Sequence, residues 1–246
     1  MLDIFPPFRY DKKMEPLTGA RNDRLAGPAA WMICLSLGAL LGLAEAALGG
    51  FIRKTGLPLR GAVVTAAGFA IMALGLAVFK KARAVPGITL MGILGKWLAL
   101  PLLGLPLLCQ ANAHLAILFN GVFLFVGVKG FKRKISRGWP GQSVVAGLAA
   151  FAAGATFFAL ARFWAPCAHL LSFHYAGGAL RYMLTRVVPA AVLAALSFPL
   201  GYALGRRLDK RFLNLWLDRK PLLAMLTSVG TLACWGLAVW LTANGF

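Results

Sequence analysis

The stretch Ala29 to Ile52 reads AAWMICLSLGALLGLAEAALGGFI and carries a single charged side chain, Glu45. A bilayer's hydrocarbon core is roughly 30 Å thick and takes about 20 helical residues to cross, so this stretch predicts a membrane-spanning helix. Six more stretches of the same character follow it: Gly61 to Phe79, Val85 to Leu108, Asn112 to Val128, Ser143 to Ala165, Val187 to Gly205 and Leu222 to Ala243. None of them alternates apolar and polar residues as a barrel strand does, and backbone groups in lipid must pair within their own segment, which leaves helices. The predicted fold class is all-α, a polytopic transmembrane helical bundle of seven spans. Its parts are a tail over 1–28, a six-helix core over 29–205, a basic loop over 206–221 and an additional C-terminal helix over 222–246. So much of the chain is committed to spans that no soluble catalytic domain fits.

Charge orients the bundle. Lys and Arg number 26 against 7 acidic residues, for a net charge of +19. Loops that stay in the cytoplasm retain Lys and Arg. With the N-terminus inside, the inner segments hold 19 basic residues: those of the tail, Lys80 to Arg83, Lys129 to Arg137 and Arg206 to Lys220. The outer segments hold six, Arg53, Lys54, Arg60, Arg162, Arg181 and Arg186, and Lys96 falls within a span. The expectation is a multi-pass protein of the cytoplasmic (inner) membrane with its N-terminus inside and Phe246 outside. The basic balance is then explained by topology and by anionic lipid headgroups. It does not point to nucleic acid, because there is no folded basic module to read a groove. The first 28 residues, with Pro6, Pro7, Pro16 and Pro28, lack the apolar core of a cleavable signal and read as a cytoplasmic tail.

Local features mark how the spans are used. Gly38, Gly42 and Ala46 recur at four-residue spacing on the first span, a stripe that lets another backbone approach, within the chain or on a partner. The turn RKTGLPLR (Arg53 to Arg60) is short and basic, suited to an anionic group or to headgroups. Pro86 opens the third span, Lys96 interrupts it, and Pro101 and Pro106 are expected to break its outer half, which places it inside the bundle. Trp164 to Arg186 is the longest outer segment, with Gly177 and Gly178 as a flexible point. It reads as a lid or as an interfacial helix.

Ionisable groups within a membrane cost about 2.5–3.5 kcal/mol on insertion scales and are functional candidates by default. Glu45 and Lys96 qualify. At about 1.5 Å per residue they sit roughly 24 Å and roughly 17 Å up their helices, close enough for an ion pair. Asn120 falls near the same depth, with Asn112, Gln110 and His114 just above it. The expectation is either a polar cavity open to the outside and lined by the first, third and fourth spans, or a structural network that only fixes packing. The cysteines Cys34, Cys109, Cys167 and Cys234 form no CxxC pair. A Cys109 to Cys167 disulfide and a pair of semi-buried thiols both remain open. Cys167, His169 and His174 do not match a zinc spacing, so neither a metal nor a cofactor is expected. There is no GxSxG, HExxH or P-loop and no pair of intramembrane carboxylates, so the chain does not read as an enzyme and cannot hydrolyse ATP itself.

Three runs carry a resemblance: LGALLGLAEAALGGFIRKTGLPLRGAVV (Leu37 to Val64), GILGKWLALP (Gly92 to Pro101) and NAHLAILFNGVFLFVGVKGFKRK (Asn112 to Lys134). They resemble the substrate-binding S components of energy-coupling factor (ECF) ABC transporters in their small-residue first helix, Gly- and Pro-marked outer turn, Lys-interrupted third helix and basic inner loop. The resemblance implies a six-helix bundle that captures a small solute from outside and docks on a coupling membrane subunit driven by ATPase subunits. Gly38, Gly42 and Ala46 would be the docking stripe. The seventh span is additional to the family's six, and the N-terminus lacks the Met and His start of the cobalt and nickel members.

The function expected is a membrane-embedded substrate-binding subunit of a multisubunit transporter. Glu45, Lys96, Asn120, Asn112 and His114 would face the solute, and Arg53, Lys54 and Arg60 would attract its anionic part. A non-catalytic accessory subunit of a larger membrane complex is the other reading. In that case Glu45 and Lys96 would pair solely with each other and no void would adjoin them. An intramembrane lipid enzyme would need a nucleophile beside His114, where only Cys109 and Asn112 stand.

Overall fold

The structure is a computed structural model and describes residues 28–55, 59–103, 107–136, 138–164, 168–209 and 220–244. Most of the tail, Gly56, Pro58, Pro106, Cys167, the stretch 210–219 and Phe246 lie outside the described residues, as do the side chains of Arg53, Pro101, Cys109, Gln110, Arg162 and His169. Helix is the dominant structure. In chain order the helices are α1 (Pro28–Thr55), α2 (Arg60–Phe79), α3 (Ala84–Leu103), α4 (Leu107–Gly130), the short α5 (Lys132–Ser136), α6 (Trp139–Trp164), the short α7 (Ala168–Leu171), α8 (Gly178–Tyr182), α9 (Val188–Leu208) and α10 (Lys220–Ala243). A π turn over Met183–Val187 joins α8 to α9. Among the described residues six helices are long and apolar enough to cross a membrane: α1, α2, α4, α6, the continuous α8 to α9 unit and α10. The other long helix, α3, has 20 residues and includes Lys96.

Helix ends shift from the sequence expectation at two places. The third span ends at Leu103 rather than Leu108, and it runs through Pro101, which falls in its last turn. There a missing N–H removes one hydrogen bond and no downstream helix has to be sustained. The sixth span starts at Gly178 rather than Val187 and covers 31 residues, so the last nine residues of the expected outer segment are the head of this helix. Gly177, at φ 83°, sits in the left-handed region and turns the chain into it.

The second span is the axis of the bundle. It is apolar on every side, as a helix surrounded by other helices must be. In its apolar window 61% of residues are buried, against 28% for the first span and none for α10. Phe69, Met72 and Ala73 on this helix pack with Ile88, Leu124, Val145 and Phe198 from four other helices. Its tightest neighbour is α9, where Ser197, Gly201 and Gly205 make a small-residue stripe. The Ser197 hydroxyl donates to the Ala66 carbonyl at 2.7 Å. A Cβ on Gly201 would run into the Ala70 backbone, and one on Gly205 into that of Leu74. Hydrocarbon gives helices no hydrophobic reason to associate, so close backbone approach and interhelical hydrogen bonds supply the attraction. At one end of this pair Lys80 Nζ meets Asp209 Oδ2 at 2.8 Å.

The remaining spans wrap this axis: α1 lies on α3, α4 on α6, and α6 on α9. α10 packs along α1 from outside and exposes Met225, Leu232 and Trp240 on its far side. Apolar exposure of that kind over the whole bundle surface is what a lipid-facing wall requires.

Candidate functional site

The charged pair expected from helix depth forms. Lys96 Nζ lies 2.6 Å from Glu45 Oε1, with the two side chains 18% and 17% exposed. Glu45 does not spend both oxygens on lysine. Its Oε2 is buried and accepts no hydrogen bond from any described residue, and the same holds for Oδ1 of Asn112.

A cavity of about 350 Å³ opens beside Glu45, at the end of the bundle away from Lys80 and Asp209. The first span contributes Leu41, Glu45 and Gly49, and the second Arg60, Thr65, Gly68 and Met72. The fourth contributes Asn112, Ala116, Ile117 and Asn120, and the fifth Ala150, Gly154 and Phe157. The head of the sixth closes it with Tyr182, Thr185, Arg186 and Val187. Much of the wall is Gly or Ala, side chains too short to fill the space where five helices converge, and that is why a void exists here. The size is at the lower end of ordinary small-molecule sites, which also combine an apolar wall with a few polar groups.

The lining differs from the expected first, third and fourth spans. The third span reaches the site only through Lys96, which holds Glu45 from behind and is not itself among the cavity residues. The second, fifth and sixth spans take its place. Gly38 of the first span lies against Met91 and Gly92, so α3 meets α1 two turns before Glu45.

Among the residues singled out from sequence, Glu45, Asn112, Asn120 and Arg60 converge on the cavity. His114 stands apart and packs edge-on to Trp97 at 6.2 Å between ring centroids. Lys54 is exposed at the end of α1, and His174 is exposed in the turn before α8. In the small-residue stripe, Gly38 is taken up by α3, while Gly42 faces open space.

Arg186, Thr185 and Thr65 line the cavity and went unmarked as site residues in the sequence. Arg186 was grouped with the outer loop because the sixth span was expected to start one residue later. The available signal was the run from Gly178 to Val187, which contains no Pro and no Gly after its first residue and so continues the helix upstream. The π turn over Met183–Val187 inserts one extra residue there, and such bulges recur at functional sites because they re-aim side chains.

Comparisons of the chain with protein-family models, with curated proteins and with solved structures find no match. The functional reading therefore rests on the geometry of the cavity and on the sequence.

Proposed function

We propose that the protein is a membrane-embedded solute-binding subunit of a multisubunit transporter, taking a small molecule into the cavity beside Glu45. The observation that carries this reading is a void of about 350 Å³ walled by five spans, with Glu45, Arg60, Asn112, Asn120 and Arg186 on its surface. An accessory subunit would have Glu45 and Lys96 closed on each other with no adjoining space. Here Glu45 pairs with Lys96 and also lines a cavity. The charge asymmetry of the loops supports an outward-facing mouth. The coupling to a second membrane subunit and to ATPases comes from the resemblance to ECF S components, since the chain carries no nucleotide motif of its own. In that arrangement the bundle binds solute on one side and its docked partner favours the state that releases it on the other.

Native mass spectrometry of the protein gently extracted from its own membrane tests the reading. Recovery with an ATPase and a second membrane subunit, together with a bound solute, is the expected outcome. Recovery within an unrelated complex, with neither ATPase nor solute, would make the protein an accessory subunit.

A further inference from the structure

The turn between the fourth and fifth spans is built more firmly than a connector has to be. α4 ends at Gly130, α6 begins at Trp139, and Lys132–Ser136 forms α5 between them. Ile135 turns from α5 into the main core. The Gln142 side-chain amide donates to the Ile135 carbonyl at 3.3 Å, and the Ser136 hydroxyl to the Arg133 carbonyl at 2.9 Å. Gly138, at φ 103°, makes the return into α6. A Cβ on Gly141 would collide with the Lys134 carbonyl, so the start of α6 lies directly on the α5 backbone. A loop that only signals topology needs its charge and none of this structure.

Four cations stand on this elbow, Lys129, Lys132, Arg133 and Lys134, all exposed. Lys129 Nζ is 5.9 Å from the centre of the Phe125 ring, and Lys134 Nζ is 5.1 Å from that of Phe131. Among the described residues none of the four has a carboxylate partner, since Glu45 is on Lys96 and Asp209 on Lys80. No other segment offers them net negative charge: residues 1–28 hold five basic and four acidic side chains, and residues 210–219 hold three and one. The elbow's counter-charge is therefore external to the chain.

Apolar groups flank those charges. Phe131 and Trp139 are exposed on either side of α5, a placement that water disfavours and a membrane interface favours. On α4, Val122, Val126 and Lys129 are spaced to share one face, and all three are exposed. An apolar track along the lipid-facing wall thus ends in an ammonium group. The other basic turn at this end of the bundle, Lys80 to Arg83, is partly spent on Asp209.

We propose that the elbow of α4, α5 and α6 is a binding site for an anionic phospholipid. The phosphate meets the four cations, the glycerol region lies against Phe131 and Trp139, and an acyl chain follows Val122 and Val126. Basic clusters beside a span attract acidic headgroups, each charge raising affinity about five-fold. The acidic surface of a soluble protein would meet the same charges but would leave the aromatics and the apolar track unused. The site is independent of what the cavity binds.

The full-length protein in mild detergent is titrated with an equimolar mixture of phosphatidylglycerol and phosphatidylethanolamine of identical acyl chains, and bound lipid is counted by native mass spectrometry. The elbow variant Lys132→Gln/Arg133→Gln/Lys134→Gln is set against a control, Arg83→Gln/Arg206→Gln/Arg207→Gln, that removes the same charge from the same end of the bundle. The wild type should prefer phosphatidylglycerol, and its retention should fall about ten-fold or more in the elbow variant but less than about three-fold in the control. A diazirine-bearing phosphatidylglycerol, cross-linked to the wild type alone, should label the stretch Val122 to Gln142 ahead of all others, which keeps the test decisive if the elbow variant fails to fold. Equal retention of the two lipids, equal loss in elbow variant and control, or labelling spread evenly over the protein overturns the proposal. Release of the lipid by millimolar inorganic phosphate overturns it in favour of a site for free phosphate. An acidic protein that copurifies with the wild type and is lost from the elbow variant, with no lipid preference, overturns it in favour of a protein-docking surface.

Discussion

Replacing Lys96 by Met removes the cation and keeps the length of the side chain, leaving Glu45 in the bundle without its partner at 2.6 Å. Breaking a fully buried ion pair from one side costs about 3–5 kcal/mol, because the remaining charge stays desolvated. Both side chains keep some exposure, 18% and 17%, and Glu45 lines the cavity. The cost expected here is accordingly smaller, about 2–3 kcal/mol. For a chain of this size that corresponds to a fall of roughly 5–10 °C in the unfolding midpoint. The double variant Glu45→Gln with Lys96→Met has no charge left to strand and should recover to within about 1 kcal/mol of the wild type. Thermal unfolding of wild type, both single variants and the double variant in one detergent gives the coupling energy directly, free of any solute identity. If the double variant is no more stable than Lys96→Met, or if the two single effects simply add, the pair is not coupled and the site has been misread.

Further outcomes follow from other parts of the molecule. Glu45→Gln keeps an acceptor for Lys96 and should leave membrane insertion and yield intact while abolishing solute retention in the extraction assay; loss of folded protein instead would make the polar cluster a packing network. Gly201→Ala places a methyl against the Ala70 backbone of the central helix and should destabilise the bundle by about 1–3 kcal/mol, whereas Gly42→Ala, which meets open space, should change the midpoint by less than a degree or two. Single cysteines at the exposed positions Lys54 and Lys132 report topology: Lys54→Cys should react with an impermeant maleimide in intact cells and Lys132→Cys only after permeabilisation, and the reverse pattern would invert the bundle.

The path of the chain through the membrane was legible because it depends on quantities a sequence contains. Span length follows from apolar run length, and the basic loops bracket each run. With both ends of a helix fixed, the rise per residue put Glu45 and Lys96 within reach of each other before any packing was known. Helix neighbours were not legible in the same way. Spans such as α2 are apolar on all sides, so no amphipathic stripe marks an inner face. Contacts are decided by small residues, and the chain has several candidate stripes. The one on the first span stood out in sequence, while the tightest approach is at Ser197, Gly201 and Gly205 on α9. The cavity's position depends on that choice, which is why the third span was expected to line it and the second, fifth and sixth do. Arg186 was missed for a different reason: a charge one residue before an apolar run looks like a loop residue until the helix is seen to begin upstream at Gly178.

The contact between α10 and α1 bears on how the protein is made. Ser36 Oγ lies 3.0 Å from the Thr231 hydroxyl and 3.2 Å from the Thr227 carbonyl, partners separated from it by 195 and 191 positions in sequence. Trp235 Nε1 donates to the Gly95 carbonyl at 2.9 Å, one residue before Lys96. The first span can satisfy Ser36 by itself, since the same hydroxyl lies 3.1 Å from the Met32 carbonyl one turn earlier. Docking of α10 therefore adds shared contacts to a group that is already paired, and it ties a helix made late in the chain to two made early.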